Sequence, residues 1–284
     1  MLDFSSEPLK GNVRPDLEAV RQYWNENPLF AGESRHPPGH KAFFEEHEQV
    51  LLYEHSGVLP RIITCDVVPG SRVLDAGCGI GFWVHQFCRL GAEVSGCDLS
   101  DAAIDLTRRR TELYGLKVDL RLGNAEQLPY KDSSFDHVNS LAVIQYTQYT
   151  DRCIEEFYRV LKPGGTLCFS VNFKVWFLRS RPLFKVVVAM MRPWIALRGR
   201  GRESMLNASS PEELVRLYDG ADNPIARAFT RSELYAMLRG RFQVLEESRC
   251  GLPRRAFPVP IPGALHRVLS NSFGLAIVLR CRKI

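Results

Sequence analysis

No run of about 18 apolar residues occurs in the chain, so no membrane-crossing helix is predicted. The start, MLDFSSEPLKG, lacks a basic flank followed by an apolar core, and no secretory signal is expected. The eight cysteines form no CxxC pair and no metal-like spacing. In a chain of 284 residues they read as reduced core residues, which points to the cytoplasm and to no metal site. Internal repeats and low-complexity tails are also missing. Acid is missing from one place: between Lys174 and Arg202 stand eight Lys or Arg and no Asp or Glu. With a net charge of +5 overall, the remainder therefore carries −3. The basicity is local, which weakens a nucleic-acid reading.

What is present is ordinary for one globular core: 45% hydrophobic and 24% charged residues. From Ser71 the chain alternates strand-like and helix-like pieces. Strands are predicted at 71–76, 92–98, from Val118, from Ser134 and at 166–173. Helices are predicted at 82–90, after the Ser100 cap, and at 153–161, the last closed by Lys162-Pro163-Gly164-Gly165. The alternation breaks between Val175 and about Ala228, which resembles an inserted cap. Thr230 with Glu233 forms a capping box, and RFQVLEES and FGLAIVLRCRK supply two further strands. The first 60 residues read as helices rich in aromatics and His. The fold class expected is α/β: a doubly wound, mostly parallel, seven-stranded sheet covered on both faces.

The stretch VLDAGCGIG from Val73 to Gly81 is the end of a buried strand turning into a helix. Its glycines are spaced GxGxG, not GxGxxG as in the dinucleotide fingerprint. Asp75, two residues before Gly77, would repel a pyrophosphate but suits a ligand bearing an ammonium or sulfonium group. Asp98 ends the second strand, where a carboxylate can take both hydroxyls of an unphosphorylated ribose. A nucleoside with free ribose hydroxyls and a cationic tail meets both demands. S-adenosylmethionine fits that description; NAD does not.

VLDAGCGIG, VSGCDLS, GNAEQLPY, FDHVNSLAVIQY and RVLKPGGTL stand in the order and spacing of the class I S-adenosylmethionine-dependent methyltransferases. The chain resembles their bacterial small-molecule branch, which includes quinone-biosynthesis methylases, over roughly Val73 to Phe173. The resemblance implies the Rossmann-like methyltransferase fold and a helical N-terminal lid at 1–60. It further implies a cofactor-binding core at 61–174, a basic and apolar cap at 175–228, and a closing helix and two strands at 229–284. It also implies S-adenosylmethionine as cofactor and S-adenosylhomocysteine as product. Asp75, Gly77, Cys78, Gly79 and Gly81 would line the methionine and ribose end, Asp98 would hold the ribose, and Leu99 would pack on adenine. Asn124, Ala125 and Glu126 stand where the family reads the adenine edge, although most relatives have Asp at the Asn124 position. Asn accepts there through its side-chain oxygen. Leu141 and Ala142 would border the methionine moiety. Cys78 reads as a small filler, not as a redox or arsenic-binding thiol.

Methyl transfer asks a protein mainly to align a nucleophile and exclude water, with a base only where a proton leaves. Gln145 and Tyr146 follow the fourth strand, where relatives often carry a His pair, and are expected near the methyl group. His47, His55, Glu45 and Glu46 are candidate bases on the N-terminal segment, with His55 the one singled out for substrate contact. For Glu45 and Glu46 a solvated helix face is the plainer reading. Tyr23 and Trp24 are a lid or an ordinary packing face. Residues 175–202 carry three readings: an apolar pocket for a hydrophobic or anionic substrate, an amphipathic surface resting on anionic lipid, or a buried helix with snorkelling arginines. The expected activity is methylation of a small hydrophobic metabolite. The alternatives are a peptide or protein substrate, a lipid or isoprenoid at a membrane surface, and a non-catalytic cofactor-binding partner. A nucleic-acid methylase is a poor fit, because SLAVIQY replaces the Asn/Asp-Pro-Pro-aromatic run of that class.

Overall fold

A computed structural model describes residues 16–54, 58–191, 207–218, 220, 222–252, 254, 259 and 261–284. Its centre is a sheet of strands β1 (Arg72–Ala76), β2 (Glu93–Asp98), β3 (Asp119–Leu122), β4 (Phe135–Leu141), β5 (Leu161–Phe173), β6 (Ala228–Phe229), β7 (Phe242–Cys250) and β8 (Ala276–Lys283). The order is β3-β2-β1-β4-β5-β8-β7, with β6 beside β5. Strands β1 to β5 run parallel, and β8 is antiparallel to both β5 and β7. The expected seven strands lie on this path; β6, two residues long and paired to Asn172 and Phe173, is an eighth.

Helices α1 (Leu17–Glu26), α2 (Lys41–Glu54) and α3 (Val58–Thr64) precede the sheet. The crossovers are α4 (Phe82–Arg89), α5 (Asp101–Leu113) and α6 (Thr150–Val160), followed by α7 (Arg181–Met191), α8 (Pro211–Tyr218), α9 (Arg231–Leu238) and α10 (Gly263–Phe273). Strand β1 shows why both faces are covered. Val73 packs with Val84 and Phe87 of α4 on one face, and Leu74 and Ala76 pack with Ile154 and Phe157 of α6 on the other. Ser100 caps α5 by accepting from the Ala103 amide, and the Thr230–Glu233 capping box opens α9.

Two boundaries differ from the sequence reading. The Lys162–Gly165 turn is absorbed into β5, because pairing jumps from Phe135 with Leu161 to His137 with Thr166. Helix α10 interrupts the hairpin of β7 and β8, where no element was expected.

Of the cap, α7 buries Phe184, Val187 and Val188 in the main core and leaves Leu183, Val186 and Met190 exposed. Residues 192–206, with Arg192, Arg198, Arg200 and Arg202, lie outside the described residues.

Helix α2 is anchored by Arg110, which is fully buried on α5. Its guanidinium sits over the rings of Phe44 and Phe82, donates to the Phe44 and Ile80 carbonyls, and stands 3.6 Å from Glu48 of α2. Glu48 also accepts from Gln86 and Arg89 of α4. Arg110→Met should cost about 2 kcal/mol in chemical denaturation, since it leaves Glu48 without its most buried partner. A loss below about 0.5 kcal/mol would mean that the apolar packing of α2 suffices.

Candidate active site

Two cavities open at the C-terminal ends of the parallel strands, as expected of a doubly wound sheet. The larger is about 1020 Å³ and the smaller about 170 Å³. Gly77, Gly79, Leu141, Ala142 and Tyr146 line both, so the two form one branched site.

At the junction, Asp75 sits between β2 and β4, opposite Gly96 and Asn139. It is 2% exposed, lines the larger cavity, and accepts from Asn139 Nδ2 at 2.6 Å. Burial pushes its carboxyl up to about 7 against the Asn139 hydrogen bond, and the nearby Asp98 charge adds to the rise. The loop after β1 then turns tightly enough for Gly77 and Cys78 to donate to the Cys97 carbonyl. Gly77 has φ +82°, and a Cβ there would lie 2.1 Å from Val143 Cγ2. Gly81 lines neither cavity; it has φ +75° at the start of α4, against Thr107. The Cys78 thiol is buried beside Thr107, and burial holds it far above its ordinary pKa, in the protonated form.

The smaller cavity lies between Leu99 and the Ala142–Val143 turn. Asp98 ends β2 there, accepting from the Gly79 amide at 2.9 Å and the Ser100 amide at 3.0 Å. Burial raises this carboxyl, and those amides oppose the rise. Asn124 and Ala125 line the far side, but Asn124 Oδ1 already accepts from the Glu126 amide at 2.9 Å. The Glu126 carboxylate is committed as well, accepting from the Gln148 and Tyr149 amides. It pins the segment after β4. Val20 and Trp24 of α1 close the cavity, Trp24 standing edge-on to Tyr146 at 5.2 Å, while Tyr23 packs inward.

The larger cavity extends over one face of the sheet. Its floor is two cross-strand rows of small residues, Ser170–Val278–Ser248 and Asn172–Ala276–Cys250. Val50 and Leu51 of α2 and Leu59 of α3 roof it, and α10 forms the end wall with His266 and Ser270. His266 is half-buried, and its Nε2 lies 2.7 Å from the Leu252 carbonyl. A carbonyl only accepts, so Nε2 carries a proton; Ser270 Oγ lies 3.4 Å from the same nitrogen.

The expected acceptor-side residues separate. Gln145 (1% exposed) and Tyr146 (6%) line the larger cavity within the turn after β4. His55 lies outside the described residues. His47 lines the cavity, packed between Phe30 and Phe82. Glu45 pairs with Lys41 at the surface, and Glu46 accepts from Ser34 and the Arg35 amide. Of the three readings of residues 175–202, the described part of α7 fits the buried helix: no described residue between 175 and 228 lines either cavity. The apolar side chains of α7 that turn inward are consumed by the core, and β7, β8 and α10 supply the walls instead. Asn172, Ser248 and His266 were missed, because nothing short of strand register places them together. Among the described residues no cluster of three His, Cys, Asp or Glu has metal-ligand geometry, and no helix is long and apolar enough to cross a membrane.

A family described as a methyltransferase domain matches residues 74–169. The ubiquinone biosynthesis O-methyltransferase of Chelativorans sp. (strain BNC1) is 30% identical over 206 residues, 72% of this chain and 77% of that protein. The malonyl-[acyl-carrier protein] O-methyltransferase of Serratia marcescens is 34% identical over 102 residues, covering 36% of this chain and 38% of that protein. Among solved structures, the [4+2]-cyclase SpnF superposes with a TM-score of 0.58 at 18% identity, covering 96% of this chain and 97% of that one. A SAM-dependent methyltransferase from Methanosarcina mazei gives 0.54 at 22% identity, covering 78% and 97%. At these identities the structural likeness establishes the fold.

Proposed function

The chain belongs to the class I S-adenosylmethionine-dependent methyltransferases, of the quinone-methylase type, and from that premise we propose that it methylates a small, largely apolar metabolite held in the larger cavity. The observation that carries this reading is the branched site itself. A pocket with a carboxylate at its edge meets a larger chamber, apolar along Val50, Leu51 and Leu59, across two glycines and the Leu141–Ala142 turn.

The residues present fit the cofactor. At Gly79 the nearest atom to a Cβ would be Leu29 Cδ2 at 3.8 Å, so a ligand can lie against bare backbone there, and Asp98 keeps free lone pairs for two hydroxyls. Leu99 and Val143 face each other across a slot suited to a flat ring, with Asn124 and Ala125 at its edge. Asp75 is placed for an ammonium group. When bound, S-adenosylmethionine supplies an electrophilic methyl group whose transfer needs a nucleophile aligned opposite the departing sulfur. Gln145 and Tyr146 would border the transfer from the turn after β4, α1 and α2 would exclude water, and His266 on the chamber wall would be the group to receive a proton.

Calorimetric titration of the wild type with S-adenosylhomocysteine and with NAD tests the cofactor pocket. Micromolar affinity for the first and none for the second is expected; binding of NAD alone would overturn the assignment.

Asp75 makes a second prediction. Its folded carboxyl, near 7, lies above the ordinary 3.8, so the native state holds the extra proton between those values. Its contribution to stability is therefore fully present below pH 3.8 and is lost as the pH rises to about 7. Asp75→Asn should raise the melting temperature at pH 8 but not at pH 4, and weaken S-adenosylhomocysteine binding about ten-fold. Wild-type binding at pH 6 should release protons, read as a dependence of the calorimetric heat on buffer ionisation enthalpy. A variant less stable at pH 8, or heats independent of buffer, would remove Asp75 from the cofactor site.

A further inference from the structure

Helix α1 covers the smaller cavity with little of itself in the core. Of its ten side chains only Val20 and Tyr23 are buried. Leu17, Val20 and Trp24 line the cavity, and Val20 and Trp24 pack with Leu99, Tyr146, Ile225 and Ala226. The polar contacts of α1 gather at the start of α5. Asn25 Oδ1 accepts from the Ser100 hydroxyl at 2.8 Å and from the Ala102 amide at 3.2 Å, while Asn25 Nδ2 stands 3.5 Å from Asp101 Oδ2. These partners fix the orientation of the amide, since the Ala102 N–H only donates and the Asp101 carboxylate only accepts. Arg21 pairs with Asp101 as well, at 3.3 Å. Asn25 thus caps α5 from another helix, beside the cap that Ser100 already provides.

We propose that Asn25 is a positioning residue that latches α1 over the cofactor pocket, and that the cofactor enters and its product leaves where α1 lifts. The inference rests on the reading of the smaller cavity as that pocket. Helix α1 can lift without dismantling what lies beneath it. Ser100 Oγ still accepts from the Ala103 amide, and Asp98 still accepts from the Gly79 and Ser100 amides. The Ala102 amide, released at a helix end, is met by water. The other way out passes Gly77, Gly79 and the Leu141–Ala142 turn into the larger cavity, where a bound methyl acceptor would stand in the path. Asn25 itself lines neither cavity. Breaking the latch therefore favours the open lid equally with and without cofactor, so entry and exit quicken together and affinity holds.

Surface plasmon resonance on the full chain, with S-adenosylhomocysteine as analyte, measures both rates, and calorimetry checks the affinity. Asn25→Ala loses two hydrogen bonds of ordinary strength, so both rates should rise about ten-fold with Kd within about two-fold of wild type. Asn25→Asp keeps an acceptor for Ser100 and Ala102 and should bring both rates back to within about three-fold. Arg21→Gln, which breaks an ion pair half open to solvent, should change either rate by less than about two-fold. Faster exit with unchanged entry is what a merely structural support of the Asp98 end would give, and it would overturn the proposal. Unchanged rates in Asn25→Ala, or no rescue by Asn25→Asp, would do the same. Failure of the wild type to bind S-adenosylhomocysteine would instead strike the cofactor assignment, and that result appears in the same measurements before any variant is compared.

Discussion

Replacing Asp98 with alanine should weaken S-adenosylhomocysteine binding by about a thousand-fold while leaving the chain folded. The carboxylate stands at the end of β2 and receives the Gly79 and Ser100 amides, one on each oxygen. Each oxygen keeps a lone pair for a ribose hydroxyl. Hydrogen bonds to a charged acceptor contribute about 1.5–3 kcal/mol each, so losing two costs between about a hundred- and ten-thousand-fold in affinity. The truncation also releases the Gly79 amide that holds the glycine loop. Stability suffers less, because burial already raises this carboxyl and removing it relieves that cost. Asp98→Asn should fall between, since one amide oxygen remains but its NH₂ opposes a backbone donor. Titration calorimetry paired with thermal melts checks this. An alanine variant that binds within about five-fold of wild type would mean that Asp98 only shapes the loop.

Gly77→Ala should cost about 4 kcal/mol in stability and abolish cofactor binding. Two effects add at one atom. An L-residue at φ +82° pays about 1–2 kcal/mol, and a Cβ there would meet Val143 Cγ2 at 2.1 Å and Cγ1 at 2.8 Å, an overpacking that typically costs about 1–3 kcal/mol. Val143 cannot simply withdraw, because the turn that carries it is fixed. Ala142 donates its amide to Ser170, and Glu126 holds the two amides beyond Tyr146. Val143→Ala should therefore recover part of the stability of Gly77→Ala, with a coupling of about 1–2 kcal/mol in a double-mutant cycle. The residual strain at φ persists, so binding is not restored. Independent, additive effects of the two substitutions would show that the turn moves freely.

The stretch from β1 to β5 was legible in the sequence because parallel strands buried on both faces carry apolar runs, and because helix caps and glycine turns punctuate them. Asp75, Gly77 and Asp98 could be picked out by charge and spacing alone. The larger cavity was not legible. Ser170 and Asn172 read as two polar interruptions of TLCFSVNF, and only the register with Ala276 and Val278 makes them part of a floor. Helix α10 hides among prolines at 258, 260 and 262, which argue for loop. The basic cap was ambiguous in the sequence: VVVAMM reads as pocket, membrane surface or core, and the inward residues of α7 went to the core. Glu126 kept its expected place, but its carboxylate was spent on backbone amides that no motif reveals.

The position of β8 has a consequence for how the protein is made. It follows every other strand in the chain, yet it lies between β5 and β7 and supplies the middle of the chamber floor. Domains fold during synthesis from the N-terminal side, and the cradle around Asp98 is complete once β5 has emerged. A nascent chain halted before residue 276 would thus present the smaller cavity without the floor of the larger one beside it. Ribosome-bound intermediates of that length should capture S-adenosylmethionine yet transfer no methyl group, so the cofactor is available to stabilise the half-built sheet while its last strand is still being translated.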